Sequence, residues 1–142
     1  MRWLALDVGS RRVGVAVCDA EELVTTALPA LVFAGPERVA ERVAELVRER
    51  EADGVVVGVP RTRSGQGRGE RRAAAVVAAL RGCVTVPVEV ADESGTTAAA
   101  EELLAETGVP RRRWRSLVDS VAARIILEGY LSMRGPRGGG SR

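Results

Sequence analysis

No histidine, lysine or asparagine occurs anywhere in the 142 residues. Without histidine there is no Ser/His/Asp triad, no Cys/His dyad and no His-bound zinc; without lysine there is no P-loop lysine and no Schiff base. Cysteine is scarce as well. Cys18 and Cys83 lie far apart, in or beside expected strands, which predicts two buried free thiols and neither a disulfide nor a metal site. No apolar run exceeds strand length, so the sequence predicts no signal peptide, membrane segment or lipid anchor, no membrane partner, and a cytoplasmic location. Acid, base or metal chemistry is left to five Asp and fourteen Glu, helped by Arg, Ser, Thr, Tyr and backbone amides. A carboxylate-held, oxygen-preferring cation, Mg²⁺ or Mn²⁺, is the natural remaining route to catalysis.

What is present describes one globular domain, 46% hydrophobic and 28% charged. The net charge is only +2, yet it is unevenly spread. Residues 61–72 carry Arg61, Arg63, Arg68, Arg71 and Arg72 against Glu70, a balance of +4, and Arg111, Arg112, Arg113 and Arg115 add another +4, leaving −6 elsewhere. Two basic segments on an acidic body suggest a phosphate-rich partner, because guanidinium forks match phosphate oxygens. Arginine merely standing in for lysine would give a similar composition.

Period-two alternation predicts a hairpin across Leu4–Val17. Leu4, Leu6 and Val8 share one face of its first strand, with Trp3, Ala5 and Asp7 on the other; Val13, Val15 and Val17 oppose Gly14, Ala16 and Cys18 in the second. Strands apolar on both faces are covered on both, as at the centre of an α/β sheet, which places Asp7 near the core or at its rim. A lone buried carboxylate costs several kcal/mol, comparable to a domain's net stability of about 5–15 kcal/mol. Asp7 therefore needs a partner: Arg11 or Arg12 in the turn, the amides of Gly9 and Ser10, or a cation shared with other carboxylates.

Further along, Leu23–Phe33 reads as a short or edge strand broken by Pro29, and Pro36–Glu51 as a helix with Val39, Val43, Leu46 and Val47 on one stripe. Gly54–Pro60 is a buried strand, Glu70–Leu80 a helix, Val84–Glu93 a strand and Thr97–Thr107 a helix stopped by Gly108 and Pro110. The loop RRRWR then leads into a helix from Ser116 to about Met133, and residues 134–142 form a Gly/Arg tail expected to be disordered. This order predicts a mixed α/β sheet with helices on its faces. Ligands gather at the carboxyl ends of parallel strands, where Asp7 ends the first strand and Asp92 with Glu93 the last. Asp119 is the third candidate, in the first turn of the final helix with Ser116 as N-cap, a place the helix dipole favours without any function.

DVGSRRVGVAV, VVVGVP with its Gly-rich loop, DESGTTAAAEELL and LVDSVAARIILEGYL, in that order and nearly end to end, resemble the YqgF/RuvX family of RNase H-like nucleases, also called Holliday junction resolvases or pre-16S rRNA nucleases. The resemblance implies an RNase H-like fold with a mixed five-stranded sheet over residues 1–133, and a metal-dependent nuclease acting on RNA precursor or on branched or single-stranded DNA, as monomer or homodimer. The catalytic, metal-holding set it implies is Asp7, Glu93 and Asp119, with Asp92 able to stand in for Glu93 and two ions about 3.5–4 Å apart. Ser10, Arg11, Arg12, Arg61, Arg63, Arg111, Arg112, Arg113 and Arg115 would meet phosphates. Trp114 would stack on an unpaired base or pack on the final helix. The sequence departs from the family where Asp-Glu-Arg becomes Asp92-Glu93-Ser94, and where the loop reads RTRSGQG without the usual Asn and Asp-Gly. Maturation of the 16S rRNA 5′ end is the first expectation, junction resolution the second, and a binding module with little catalysis the third.

Overall fold

The computed structural model describes residues 1–60, 67–92 and 96–133, apart from the side chains of 96–98, 115 and 116. The hairpin predicted from alternation is present as β1 (Trp3–Val8) and β2 (Arg12–Cys18), paired antiparallel with Asp7 opposite Gly14 and Val8 opposite Val13. β3 (Thr25–Val32) extends it on the outside, and β4 (Gly54–Val59) and β5 (Val88–Asp92) add in parallel on the other flank. The described strands form one mixed sheet in the order β3-β2-β1-β4-β5, which puts β1 at its centre.

The two faces are those read from the sequence. Leu4, Leu6, Val8, Val13, Val15, Val17, Val55 and Val57 pack under α1 (Pro36–Arg50) and α2 (Arg68–Arg81), which contribute Val39, Val43, Val76 and Leu80. Trp3, Ala5, Ala16, Cys18 and Val56 pack under α4 (Trp114–Met133) through Ala123, Ile126 and Leu127, and α3 (Thr96–Glu106) lies against α4. Helices on both faces bury the sheet centre, which is why its strands are apolar on both sides. No helix among the described residues is long and apolar enough to cross a membrane.

Three local expectations are corrected. β5 starts at Val88, not Val84, although Val84 and Val86 still pack on the core: their alternation reports burial, while Pro87 has no N–H to give a ladder. Cys83 is consequently exposed in the turn after α2, and only Cys18 is buried. α4 begins at Trp114 after a 3₁₀ turn over Arg111–Arg113, so Ser116 is not its N-cap and Asp119 stands in the second turn. The dipole explanation for Asp119 thereby falls away, since its influence fades within the first turn. The predicted tail, 134–142, lies outside the described residues.

The thiols offer a direct check. Burial pushes the Cys18 thiol up, against an opposing hydrogen bond from the Trp3 amide to Sγ at 3.3 Å. A thiol-reactive dye at neutral pH is expected to label Cys83 rapidly and Cys18 only on unfolding. Two thiols labelling at equal rates in the native protein would contradict this packing.

Candidate active site

Three local features set Asp7 and Asp119 on one face of the sheet. In the first, a strand supplies the carboxylate. Pleat alternation carries Asp7 onto the face of Trp3 and Ala5, the α4 face, and its residue is only 8% exposed. In the second, Gly14 admits the helix. A Cβ placed on Gly14 would stand 1.9 Å from the Asp119 carbonyl oxygen and 2.3 Å from its carbon, so any larger residue here would hold α4 off the sheet. Because Gly14 is the strand partner of Asp7, this contact brings Asp119 beside it. Glycine inside a strand often marks such a close backbone approach.

The third feature is a bulge in the edge strand. Val13 faces Leu31 while Val15 faces Leu28, so Pro29 and Ala30 together oppose Gly14. The buried Ser120 hydroxyl donates to the Leu28 carbonyl oxygen at 2.7 Å, tying α4 to the sheet one residue beyond Asp119. At its far end α4 is held by Tyr130, whose ring meets Trp3 edge-on at 5.1 Å. With Asp119 near the end of β1 and Tyr130 near its start, α4 runs antiparallel to β1. The 3₁₀ turn Arg111–Arg113 therefore lies at the carboxyl end of β1, as do the Gly9–Arg12 turn and the start of α2.

Arg12 pairs with Asp119. Its Nε donates to Asp119 Oδ2 at 2.7 Å, with side chains 36% and 20% exposed respectively. Ser10 and Arg11 are exposed in the turn, closed by Gly9 N–H donating to the Arg12 carbonyl at 2.9 Å. Arg111, Arg112 and Arg113 are exposed as well. Trp114 is half-buried, its Nε1 donates to the Val109 carbonyl at 2.9 Å, and the Arg111 guanidinium lies 4.6 Å from its ring centroid. These contacts favour the packing alternative for Trp114: it anchors the basic turn.

Asp92 does not join the pair. It is the strand partner of Val59, and alternation puts both on the α1/α2 face, away from Asp7. Glu93, Arg61 and Arg63 lie outside the described residues, as does the Arg115 side chain. Among the described residues no three acidic, Cys or His groups converge; of the acidic candidates the described residues bring only Asp7 and Asp119 near one another, through Gly14. The donors of this pair are all oxygen, one is buried, and the chain has no histidine; this set fits a hard divalent cation and suits a thiolate- or imidazole-loving metal poorly. A groove of about 410 Å³ lined by Val59, Arg71, Val77, Arg81 and Val90 lies between α2 and the sheet, on the other face from Asp7. Gly14, Ser120 and the Arg12–Asp119 pair were not singled out from sequence. Only Gly14 carried a signal, a glycine inside a β-branched strand.

A central β1 antiparallel to β2 and parallel to β4, a buried aspartate at its carboxyl end and a last helix laid across that end define an RNase H-like α/β domain. The backbone superposes on Thermus thermophilus RuvC in complex with Holliday junction substrate with a TM-score of 0.60, at 19% identity over 94% of this chain and 96% of that one. The fowlpox virus Holliday junction resolvase gives 0.58 at 16% identity, covering 94% and 99%. At the sequence level, residues 1–133 match the family described as RuvX, Holliday junction resolvase. A protein of Pelotomaculum thermopropionicum named "Putative pre-16S rRNA nuclease" is 39% identical over 137 residues, 95% of this chain and 89% of the relative. A Chloroflexus aggregans protein of the same name is 42% identical over 133 residues, covering 92% and 93%. The chain belongs to the RuvX family.

Proposed function

We propose that this chain is a metal-dependent nuclease that hydrolyses phosphodiester bonds, and that its task is 5′-end maturation of the 16S rRNA precursor. The observation that carries the reading is the placement of Asp119 beside the buried Asp7, at the carboxyl end of β1 and under a basic rim. Its relatives' names supply the RNA assignment. Asp7, Asp119 and, by sequence resemblance, Glu93 would hold Mg²⁺ or Mn²⁺, which when bound supplies Lewis-acid stabilisation of charge at the scissile phosphate.

The chain's own groups do the rest. Arg11 and Arg111–Arg113 project positive charge around the carboxylates, concentrating a polyanion there and offering bidentate contacts to its phosphates. Trp114 fixes the rim by holding Arg111 over its ring. With no His or Lys in the sequence, the side-chain bases at the site are the carboxylates themselves. Sugar identity would be read through the 2′-hydroxyl.

Cleavage of three labelled substrates tests this: a precursor-rRNA leader, single-stranded DNA and a four-way DNA junction, each with Mg²⁺, Mn²⁺ or EDTA. Metal-dependent cutting with the RNA leader preferred is the expected result. Preference for the junction would move the task to the family's other named role, junction resolution, which needs paired sites in a symmetric dimer. Binding without cutting under every metal would overturn the enzyme reading and leave an RNase H-like binding module.

A further inference from the structure

We infer that Arg12 is a positioning residue that fixes the Asp119 carboxylate for its cation, and not a contact to the substrate's phosphates; the inference rests on the cation-dependent reading above. Arg12 and Asp119 are 107 residues apart in sequence, yet the Nε–Oδ2 bond is 2.7 Å. The backbone at Arg12 is held from two sides. Its carbonyl closes the tight turn by accepting from Gly9, and β3 pairs across at Val32, with Phe33 N–H donating to the Arg11 carbonyl at 2.9 Å. A Cβ on Gly9 would come within 2.8 Å of the Arg12 carbonyl oxygen, which keeps that turn tight. Alternation sets Arg12 and Gly14 on the same face as Asp7, so the guanidinium leaves the strand toward the carboxylate pair.

The form of the contact points the same way. Nε engages one carboxylate oxygen, Oδ2, and among the described residues Oδ1 makes no hydrogen bond. A carboxylate on a helix has several accessible rotamers; one bond from a pinned strand selects among them and leaves the second oxygen for a cation. Arg12 is also only about a third exposed and already bonded to Asp119, whereas Arg11 and Arg112 are exposed. Partners that orient a metal ligand typically change metal affinity about 10–100-fold when lost.

Two uncharged variants of similar length separate positioning from phosphate contact. Arg12→Gln keeps an N–H donor at the place of Nε, whereas Arg12→Met keeps the chain and loses the donor. Both remove the positive charge, so the loss of repulsion toward a cation is common to them. The experiment is calorimetric titration with Mn²⁺ alone, alongside steady-state kinetics at several salt concentrations on whichever substrate the wild type cuts. Arg12→Gln is expected to bind Mn²⁺ about tenfold more tightly than Arg12→Met and to keep the higher kcat, with the same KM in both. Equal Mn²⁺ affinity and equal kcat in the two variants would overturn the inference alone, most clearly if KM rises in both and the log–log salt slope of binding falls by about one. A wild-type protein that binds no Mn²⁺ would overturn the inference together with the cation reading of the site, which distinguishes the two failures.

Discussion

Gly14→Ala is expected to destabilise the protein by about 3 kcal/mol, the upper end for forcing one extra carbon into a packed core. The added Cβ would stand 1.9 Å from the Asp119 carbonyl oxygen and 3.0 Å from the Ser120 nitrogen, and both are backbone atoms with no rotamer to take up the strain. Relief requires lifting α4 at this point. That movement stretches the Ser120 hydrogen bond to Leu28 and opens the contacts of Ala123, Ile126 and Leu127 with the sheet. Urea unfolding followed by circular dichroism measures the cost; a change below about 1 kcal/mol would show that α4 does not sit on the sheet as described. Because the lifted segment contains Asp119, the surviving folded protein is also expected to lose cation affinity.

Asp7→Asn should separate the two properties. Cleavage is expected to fall on the order of 10³-fold or more, about 4 kcal/mol in barrier, because a neutral amide cannot supply the charge that holds a divalent ion. Folding stability is expected to stay within about 1 kcal/mol of the parent, since the substitution keeps the shape of a residue that is only 8% exposed. Thermal melts in EDTA and in Mn²⁺ complete the comparison: added Mn²⁺ should raise the melting temperature of the parent and leave that of the variant unchanged. An active Asp7→Asn enzyme would remove Asp7 from the chemistry.

How much of this was legible in the sequence depends on how local each feature is. Alternation assigned Trp3–Val8 and Val13–Cys18 to their faces, with Asp7 on the side of Trp3 and Ala5, which α4 covers, because the pleat has a fixed period. Boundaries were less legible. Val84 and Val86 mimic a strand because burial alone imposes the alternation, and the start of α4 was read two residues late because Ser116 has an N-cap's chemistry while Pro110 sets up the earlier 3₁₀ turn. The Arg12–Asp119 bond was not legible at all. It joins residues related only by the docking of a helix, so no pattern within either segment encodes it.

That docking also orders events in time. β1 and β2 pair locally, and β1 can take β4 as soon as the crossover between them is made, whereas α4 is the last described element to be synthesised. An emerging polypeptide carries Asp7 once β1 is made, but it gains Asp119 only after more than a hundred further peptide bonds, and α4 then makes contacts of long sequence separation with β1 and β2. The proposed cutting activity therefore waits on the synthesis and docking of α4, and a chain truncated before α4 carries half a carboxylate pair and no scissors.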